Sequence, residues 1–162
     1  MTEAANSNTV PESLELVLVR TFDAPAARIY QAWTDPEILK QWFAPLPFTT
    51  PEAELDVRAG GENRVVMQDE NGNRYPNVGV YLELIPNKKI VFTDAFTAGW
   101  KPSGKPFMAA EILLEELPDG KTKYTATARH WTLEDKEAHE KMGFHQGWGQ
   151  CADQLAALLA KS

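Results

Sequence analysis

Polar and apolar residues alternate along most of the chain, and this pattern predicts a protein built mainly from β-strands. The first strand begins at Leu14, where apolar residues at every second position share one face. Six more runs of this kind follow between residues 53 and 131. Short turn signals such as Asn71-Gly72 and Pro118-Asp119-Gly120 separate the runs. We therefore predict antiparallel neighbours, because a parallel crossover needs a dozen or more residues.

Helical periodicity replaces this alternation in three places. After the first strand, Ile29, Ala32 and Trp33 form an apolar stripe at helical spacing. A second short helix is predicted to begin at Asp35, which can cap its first turn, followed by a proline that suits the first helical position. The third helical segment covers residues 133–161, and the glycines in its first half predict a kink or close backbone packing.

The order of these elements predicts an α+β fold. A curved antiparallel sheet of about six to seven strands, wrapped around a long C-terminal helix, would bury the apolar faces of both. The two short helices would follow the first strand. We expect a single domain over residues 13–162 and a flexible leader over residues 1–12, which has almost nothing to bury.

Several local motifs carry a resemblance to a known family. These motifs are Arg20–Pro25, Ala32–Pro36, Trp42, Arg58–Gly61 and Gly147–Leu155. In their order and spacing they resemble the SRPBCC superfamily, also called START-like or Bet v-like, which has the helix-grip fold. Within it, the chain is similar to bacterial relatives of the C-terminal domain of the activator of the heat-shock chaperone ATPase.

The resemblance implies a cavity between the sheet and the C-terminal helix, but it implies no shared set of catalytic residues. Members include lipid carriers, hormone receptors, polyketide cyclases and co-chaperone domains. The eukaryotic activators carry an additional N-terminal domain, whereas this chain has only a short leader. Contact with a chaperone is therefore not expected.

Charge and composition narrow the function classes. The chain has 162 residues and a net charge of −7, which argues against nucleic-acid binding because an acidic surface repels phosphate backbones. No apolar run reaches the roughly 18 residues that a membrane span requires, so we expect no membrane insertion. The polar N-terminus lacks the apolar core of a signal peptide, which predicts a cytoplasmic protein. The sequence leaves a homodimer open.

We expect neither a cofactor nor a metal. Gly60-Gly61 and the glycines of residues 143–149 match neither a P-loop nor a dinucleotide-binding fingerprint. His139 and His145 lie six residues apart, on different helix faces rather than at the i, i+4 spacing of a zinc helix. We therefore expect exposed or singly hydrogen-bonded histidines. Cys151 is the only cysteine, which excludes an internal disulfide.

Aromatic residues give the strongest indication of a ligand site. Of the five tryptophans, Trp33 and Trp148 are predicted to belong to the core. Other aromatic residues lie beside loops or at the ends of elements, where they can line a cavity. The predicted lining residues are Trp42, Phe43, Trp100, Phe107, Met108, Trp131 and Phe144.

Four polar residues are candidates to complete this cavity. His130 ends a strand and His145 lies near the start of the C-terminal helix, so both are expected at the cavity mouth. There they could orient a ligand or act as a general acid or base. Arg64 and Glu111 lie on strand faces that also carry apolar residues, where a charge is either paired or functional. A pair between Arg64 and Glu111 is one prediction, and exposed positions are the other.

Three functions fit this sequence. The first is binding of a small hydrophobic or aromatic molecule between the sheet and the C-terminal helix, which agrees with the aromatic excess and the missing nucleophile, triad and metal set. The second is a cyclase- or hydrolase-like enzyme that uses His130, His145 or Glu111 as its acid or base. The third is a protein-interaction domain of the co-chaperone type.

Overall fold

The computed structural model describes residues 14–104 and 106–161, so the predicted leader over residues 1–12 lies outside the described residues. The strands are β1 (Glu15–Phe22), β2 (Thr49–Leu55), β3 (Glu62–Gln68), β4 (Arg74–Ile85), β5 (Lys89–Thr93), β6 (Phe96–Thr97), β7 (Lys101–Pro102), β8 (Met108–Glu116) and β9 (Thr122–His130). The helices are α1 (Ala26–Thr34), α2 (Pro36–Leu39), α3 (Leu133–Lys141) and α4 (Phe144–Ala160).

Seven strands form one curved sheet in the order β1-β9-β8-β5-β4-β3-β2, while β6 and β7 form a separate hairpin. All neighbouring strands are antiparallel, as the short turns predict. The last strand returns beside the first, with Glu15 opposite Arg129 and Phe22 opposite Thr122. The predicted α+β helix-grip fold is confirmed.

The two short helices form where the sequence predicts them. The buried side of α1 carries the predicted stripe of Ile29, Ala32 and Trp33. Asp35 caps α2, since its Oδ1 accepts a hydrogen bond from the backbone N–H of Glu37 at 2.9 Å. These two helices bring Trp33 onto the sheet and begin the connection to β2.

The C-terminal segment contains two helices, and the break between them lies among the glycines where the sequence predicts a kink. Gly143 separates α3 from α4 with a φ of 95°, a left-handed conformation that costs glycine little. The predicted close packing occurs at Gly149, where an added Cβ would lie 2.8 Å from Nη2 of Arg20. In the described part of the chain, no helix is both long and apolar enough to cross a membrane.

We call the sheet face that packs against α1 and α4 the concave face, and the opposite one the convex face. Apolar side chains of the concave face include Leu16, Leu18, Phe22, Tyr81, Phe92, Ala110, Ile112, Leu114, Ala126 and Ala128. Leu155 of α4 is fully buried in this core. Strand register places Leu16, Ala128, Ala110, Phe92 and Tyr81 in one row across five strands. The row begins on the edge strand β1, beside α4, and ends at two aromatic side chains, Phe92 and Tyr81.

Candidate functional site

Four aromatic side chains meet where α1 and α2 cover the sheet, and we call them the inner aromatic cluster: Trp33, Trp42, Phe43 and Phe92. The ring centroid of Trp33 lies 5.1 Å from that of Trp42, 6.0 Å from Phe43 and 5.9 Å from Phe92. The first two pairs have the edge-to-face geometry that aromatic rings favour. Trp33 is buried, as predicted, but Trp42 is buried as well, with 2% of its surface exposed. Trp42 is therefore a wall of the interior rather than an exposed rim.

The connection from α2 to β2 is fixed to α4 beside this cluster. Nε2 of Gln154 donates to the carbonyl oxygens of Trp42 and Ala44, at 2.9 Å each. Sγ of Cys151 donates to the carbonyl of Phe43 at 2.7 Å, and burial raises the pKa of this thiol to about 12. Trp42, Phe43 and Gln154 line a pocket of about 110 Å³. The pocket gives an approach to the inner aromatic cluster from outside.

A wider groove of about 280 Å³ has a different character. Its lining residues are Glu54, Leu55, Asp56 and Glu62. Three carboxylates surround a single apolar side chain there, so this groove does not suit a hydrophobic ligand.

Two polar atoms of the concave side are buried without a hydrogen-bond partner among the described residues: the hydroxyl of Tyr81 and Nε1 of Trp33. Tyr81 is only 1% exposed, and burial raises the pKa of its hydroxyl. Burial raises the pKa of the Tyr124 hydroxyl, and the nearby Nε1 of Trp33 lowers it to a smaller extent. The contact between Trp33 and Tyr124 does not reach hydrogen-bond geometry. Buried polar groups nearly always have a partner, so these two atoms are polar groups that a bound molecule or a water could satisfy.

A second group of rings, the histidine cluster, lies where β9, α3 and α4 meet. It consists of Phe107, His130, His139, Phe144 and Trp148. The ring of His139 is central, with centroids 5.1 Å from Phe107, 5.1 Å from His130 and 5.2 Å from Phe144. Trp148 lies 4.8 Å from Phe144 and 6.1 Å from His139. The two imidazoles are therefore surrounded mainly by apolar rings.

His130 and His139 are hydrogen-bonded to each other. Nε2 of His130 lies 2.9 Å from Nδ1 of His139, and Nδ1 of His130 lies 2.9 Å from the carbonyl oxygen of Leu14. The residues are 4% and 8% exposed. Burial, and secondarily the electrostatic effect of the neighbouring His130, lowers the pKa of His139 to about 4. The expectation of exposed or singly hydrogen-bonded histidines is wrong for His130, which is buried and makes two hydrogen bonds, whereas His139 is buried but singly bonded.

Sequence-predicted site residues divide into three groups. Phe107, Met108, His130 and Phe144 come together, with Met108 opposite His130 in the β8–β9 register. Trp42 and Phe43 lie in the inner aromatic cluster. The remaining five are Arg64, Trp100, Glu111, Trp131 and His145.

Three of those five are exposed at the surface. Trp100 and Trp131 are each 51% exposed, and Trp100 packs against Phe96 in the β6–β7 hairpin at a centroid distance of 5.6 Å. His145 is exposed, with its ring 5.0 Å from that of Phe144. Of these three residues, only His145 adjoins the histidine cluster.

Arg64 and Glu111 lie on the convex face, in separate ion pairs. Nη1 of Arg64 donates to Oε1 of Glu52 at 2.9 Å. Oε1 of Glu111 accepts from Nη1 of Arg129 at 3.0 Å. The prediction that Arg64 and Glu111 pair with each other is therefore wrong. Their neighbours in the strands are the concave residues Val65 and Ile112, so alternation directs them to the other side.

The sequence pattern does not predict the positions of two residues of the site, His139 and Tyr81. His139 is the only buried residue of the otherwise polar α3, and its neighbour His130 is nine positions away, a spacing that no helical rule connects. Tyr81 stands in a strand whose apolar pattern favours the face of Val80. The register of β4 shifts between Tyr81 and Glu83, which turns Tyr81 to the concave side together with Leu84.

Comparisons with known proteins agree with this architecture. The sequence profile of the family described as Activator of Hsp90 ATPase homolog 1-like protein matches residues 23–160. The solved structure of protein NE0264 from Nitrosomonas europaea is 39% identical, with a TM-score of 0.89 over 94% of this chain and 97% of that one. Protein CV1439 from Chromobacterium violaceum is 28% identical, with a TM-score of 0.73 over 89% and 96% of the two chains.

A third similar structure is that of the AHSA1 (SPO3351) protein from Silicibacter pomeroyi, which is 25% identical with a TM-score of 0.66, over 90% of this chain and 97% of that one. No curated protein matches the chain. The profile match extends from the residue after β1 to the end of α4, and with the structural likeness it confirms the resemblance drawn from the sequence motifs. The chain belongs to the family of Activator of Hsp90 ATPase homolog 1-like proteins, which has the SRPBCC fold.

Proposed function

We propose that this protein binds a small, mainly apolar molecule between the concave face of its sheet and the helices α1, α2 and α4. The observation that carries the proposal is the buried hydroxyl of Tyr81, which has no partner among the described residues. Its neighbour Phe92 belongs to the inner aromatic cluster, and Nε1 of Trp33 adds a second unsatisfied donor there. Hydrophobic ligands are typical of this fold.

The chemistry of these two atoms defines the ligand further. An indole N–H only donates, and a phenolic hydroxyl donates or accepts. A buried polar atom that stays unpaired costs about 1–3 kcal/mol, which an acceptor atom of the ligand would recover. An aromatic or alicyclic molecule with a carbonyl or ether oxygen fits both the rings and the donors. Of the sequence-predicted residues, we assign ligand contacts to Trp42, Phe43, Phe107, Met108 and Phe144.

Native mass spectrometry of the purified protein and titration with the apolar dye N-phenyl-1-naphthylamine test this proposal. We expect a dye response with the wild-type chain and about a tenfold weaker affinity for Phe43→Ala, because burying one aromatic ring against a ligand contributes on the order of 1–2 kcal/mol.

Phe96→Ala is the matched control, since Phe96 is a partly buried phenylalanine of the β6–β7 hairpin outside both clusters. Its dye affinity should equal that of the wild type. Absence of a dye response in the wild type, together with absence of any bound species in the mass spectrum, would contradict the proposal.

The two other functions stay predictions. Among the candidate acid–base groups, His145 is exposed and Glu111 is paired on the convex face, so an acid–base enzyme would depend on His130 and its partner His139. The co-chaperone alternative is tested by an ATPase assay with a bacterial chaperone. A cytoplasmic location is a prediction from the sequence alone.

A further inference from the structure

The hydrogen bonds of the histidine pair fix the position of each proton. The carbonyl oxygen of Leu14 can only accept, so Nδ1 of His130, 2.9 Å away, must carry a proton. A neutral imidazole has one N–H, which makes Nε2 of His130 an acceptor. Nδ1 of His139, 2.9 Å from that atom, must then be the donor. The neutral pair thus leaves a lone pair on Nε2 of His139.

This free nitrogen has a defined setting. Nε2 of His139 has no hydrogen-bond partner among residues 14–104 and 106–161. It is also not one of the fully buried side-chain atoms that lack a partner in this part of the chain. The small exposed part of His139 therefore includes this atom. Phe107, Phe144 and Trp148 surround the same ring at centroid distances of 5.1, 5.2 and 6.1 Å. A single hydrogen-bond acceptor is thus presented among apolar walls.

We propose that Nε2 of His139 accepts a hydrogen bond from a hydroxyl group of the bound molecule, so that the ligands are phenols or alcohols with an apolar body. This assignment rests on the proposed function and names the ligand class. His130 is a positioning residue, because its bond to Leu14 determines which nitrogen of His139 keeps the lone pair.

Charge excludes the competing class of carboxylates. The low pKa of His139, about 4, keeps its ring uncharged at neutral pH. Phe107, Phe144 and Trp148 carry no charge, so an anionic oxygen would face a lone pair among apolar rings. An uncharged hydroxyl supplies the proton that the site lacks.

Three probes with one ring system separate these ligand classes: 2-naphthol, 2-methoxynaphthalene and 2-naphthoate. Isothermal titration should show 2-naphthol binding about two- to tenfold more tightly than 2-methoxynaphthalene, the ratio expected for one net hydrogen bond, and 2-naphthoate binding most weakly. In His139→Phe this preference for 2-naphthol should vanish while the affinity for 2-methoxynaphthalene stays within about twofold, because the ring shape is kept and only the acceptor is lost.

His145→Phe is the control, since this exposed histidine also contacts Phe144, and it should keep the full preference. Equal affinities of 2-naphthol and 2-methoxynaphthalene in the wild type would overturn the inference and leave the proposed function standing. If none of the three probes binds, both fail.

A measurement on the wild type keeps the test independent of any variant's folding. Long-range ¹H–¹⁵N spectra of the histidine side chains should show both His130 and His139 protonated at Nδ1. Protonation of His139 at Nε2 would overturn the inference. In His130→Phe we expect the proton of His139 to move to Nε2, with loss of the preference for 2-naphthol. His130→Gln should restore both, because an amide can donate to Leu14 and accept from His139.

Discussion

At the scale of single residues, the concave side is distinguished by buried polar atoms that have no hydrogen-bond partner among the described residues. Tyr81 is 1% exposed and its hydroxyl lacks a partner among the described residues. A hydroxyl in that situation has lost its hydration without gaining a protein hydrogen bond, which destabilises the empty protein. The same atom becomes favourable once a ligand supplies an acceptor. Tyr81 therefore links ligand binding to stability.

Replacing Tyr81 tests this account directly. We expect Tyr81→Phe to raise the free energy of unfolding of the ligand-free protein by about 1 kcal/mol, because it removes an unsatisfied polar atom and keeps the ring. The control is Tyr75→Phe, which deletes a hydroxyl that donates to Oδ2 of Asp69 at 3.0 Å and should not raise that free energy. Urea denaturation measures both. A loss of stability in Tyr81→Phe would mean that its hydroxyl is satisfied.

At the scale of elements, the break between α3 and α4 creates the histidine cluster. Gly143 adopts a φ of 95°, and the chain then starts α4 in a new direction. Because α3 folds back against β9, His139 reaches His130. Without the bend at Gly143, α3 and α4 would form one straight helix, and α3 would not fold back in this way. The glycine is thus a requirement of the site as well as of the connection.

Two alanine substitutions in the same segment should have opposite effects. Gly143→Ala forces a side chain into the left-handed region and should lower the free energy of unfolding by about 1–2 kcal/mol. Gly147→Ala, inside α4, meets no atom within 4 Å of the added Cβ and should raise it by up to about 1 kcal/mol through helix propensity. Thermal and urea unfolding compare them. Equal effects of the two variants would show that the glycine conformation at 143 does not matter.

The elements also show what the sequence can predict. Turn spacing is a local signal, so the antiparallel order was predictable from turns such as Asn71-Gly72. Capping by Asp35 was predictable for the same reason. The inward position of Tyr81 depends on a register shift inside β4, which alternation cannot reveal. The contact between His130 and His139 depends on the break at Gly143, so the pairing of these two side chains could not be read from their spacing.

At the scale of the whole molecule, the histidine cluster should make stability depend on pH. His139 has a pKa of about 4 in the folded protein, because burial among neutral rings and the nearby His130 disfavour its charged form, against 6.5 as its ordinary value. The folded state therefore binds fewer protons than the unfolded state between these pH values. The stability that His139 confers is complete above about pH 6.5 and is lost as the pH falls towards 4.

This loss of stability amounts to about 3 kcal/mol on the scale of 1.36 kcal/mol per pKa unit. Protonation of His139 would disturb the His130–His139 contact, which lies where β9, α3 and α4 meet. Carboxylates also titrate in the acid range, so the informative quantity is the difference between wild type and His139→Phe in urea unfolding at several pH values. We expect the variant to lose less stability than the wild type between pH 6.5 and 4, whereas His145→Phe should follow the wild type. Parallel curves for wild type and His139→Phe would show that the buried imidazole is not what opposes protonation, and that acid sensitivity arises elsewhere in the molecule.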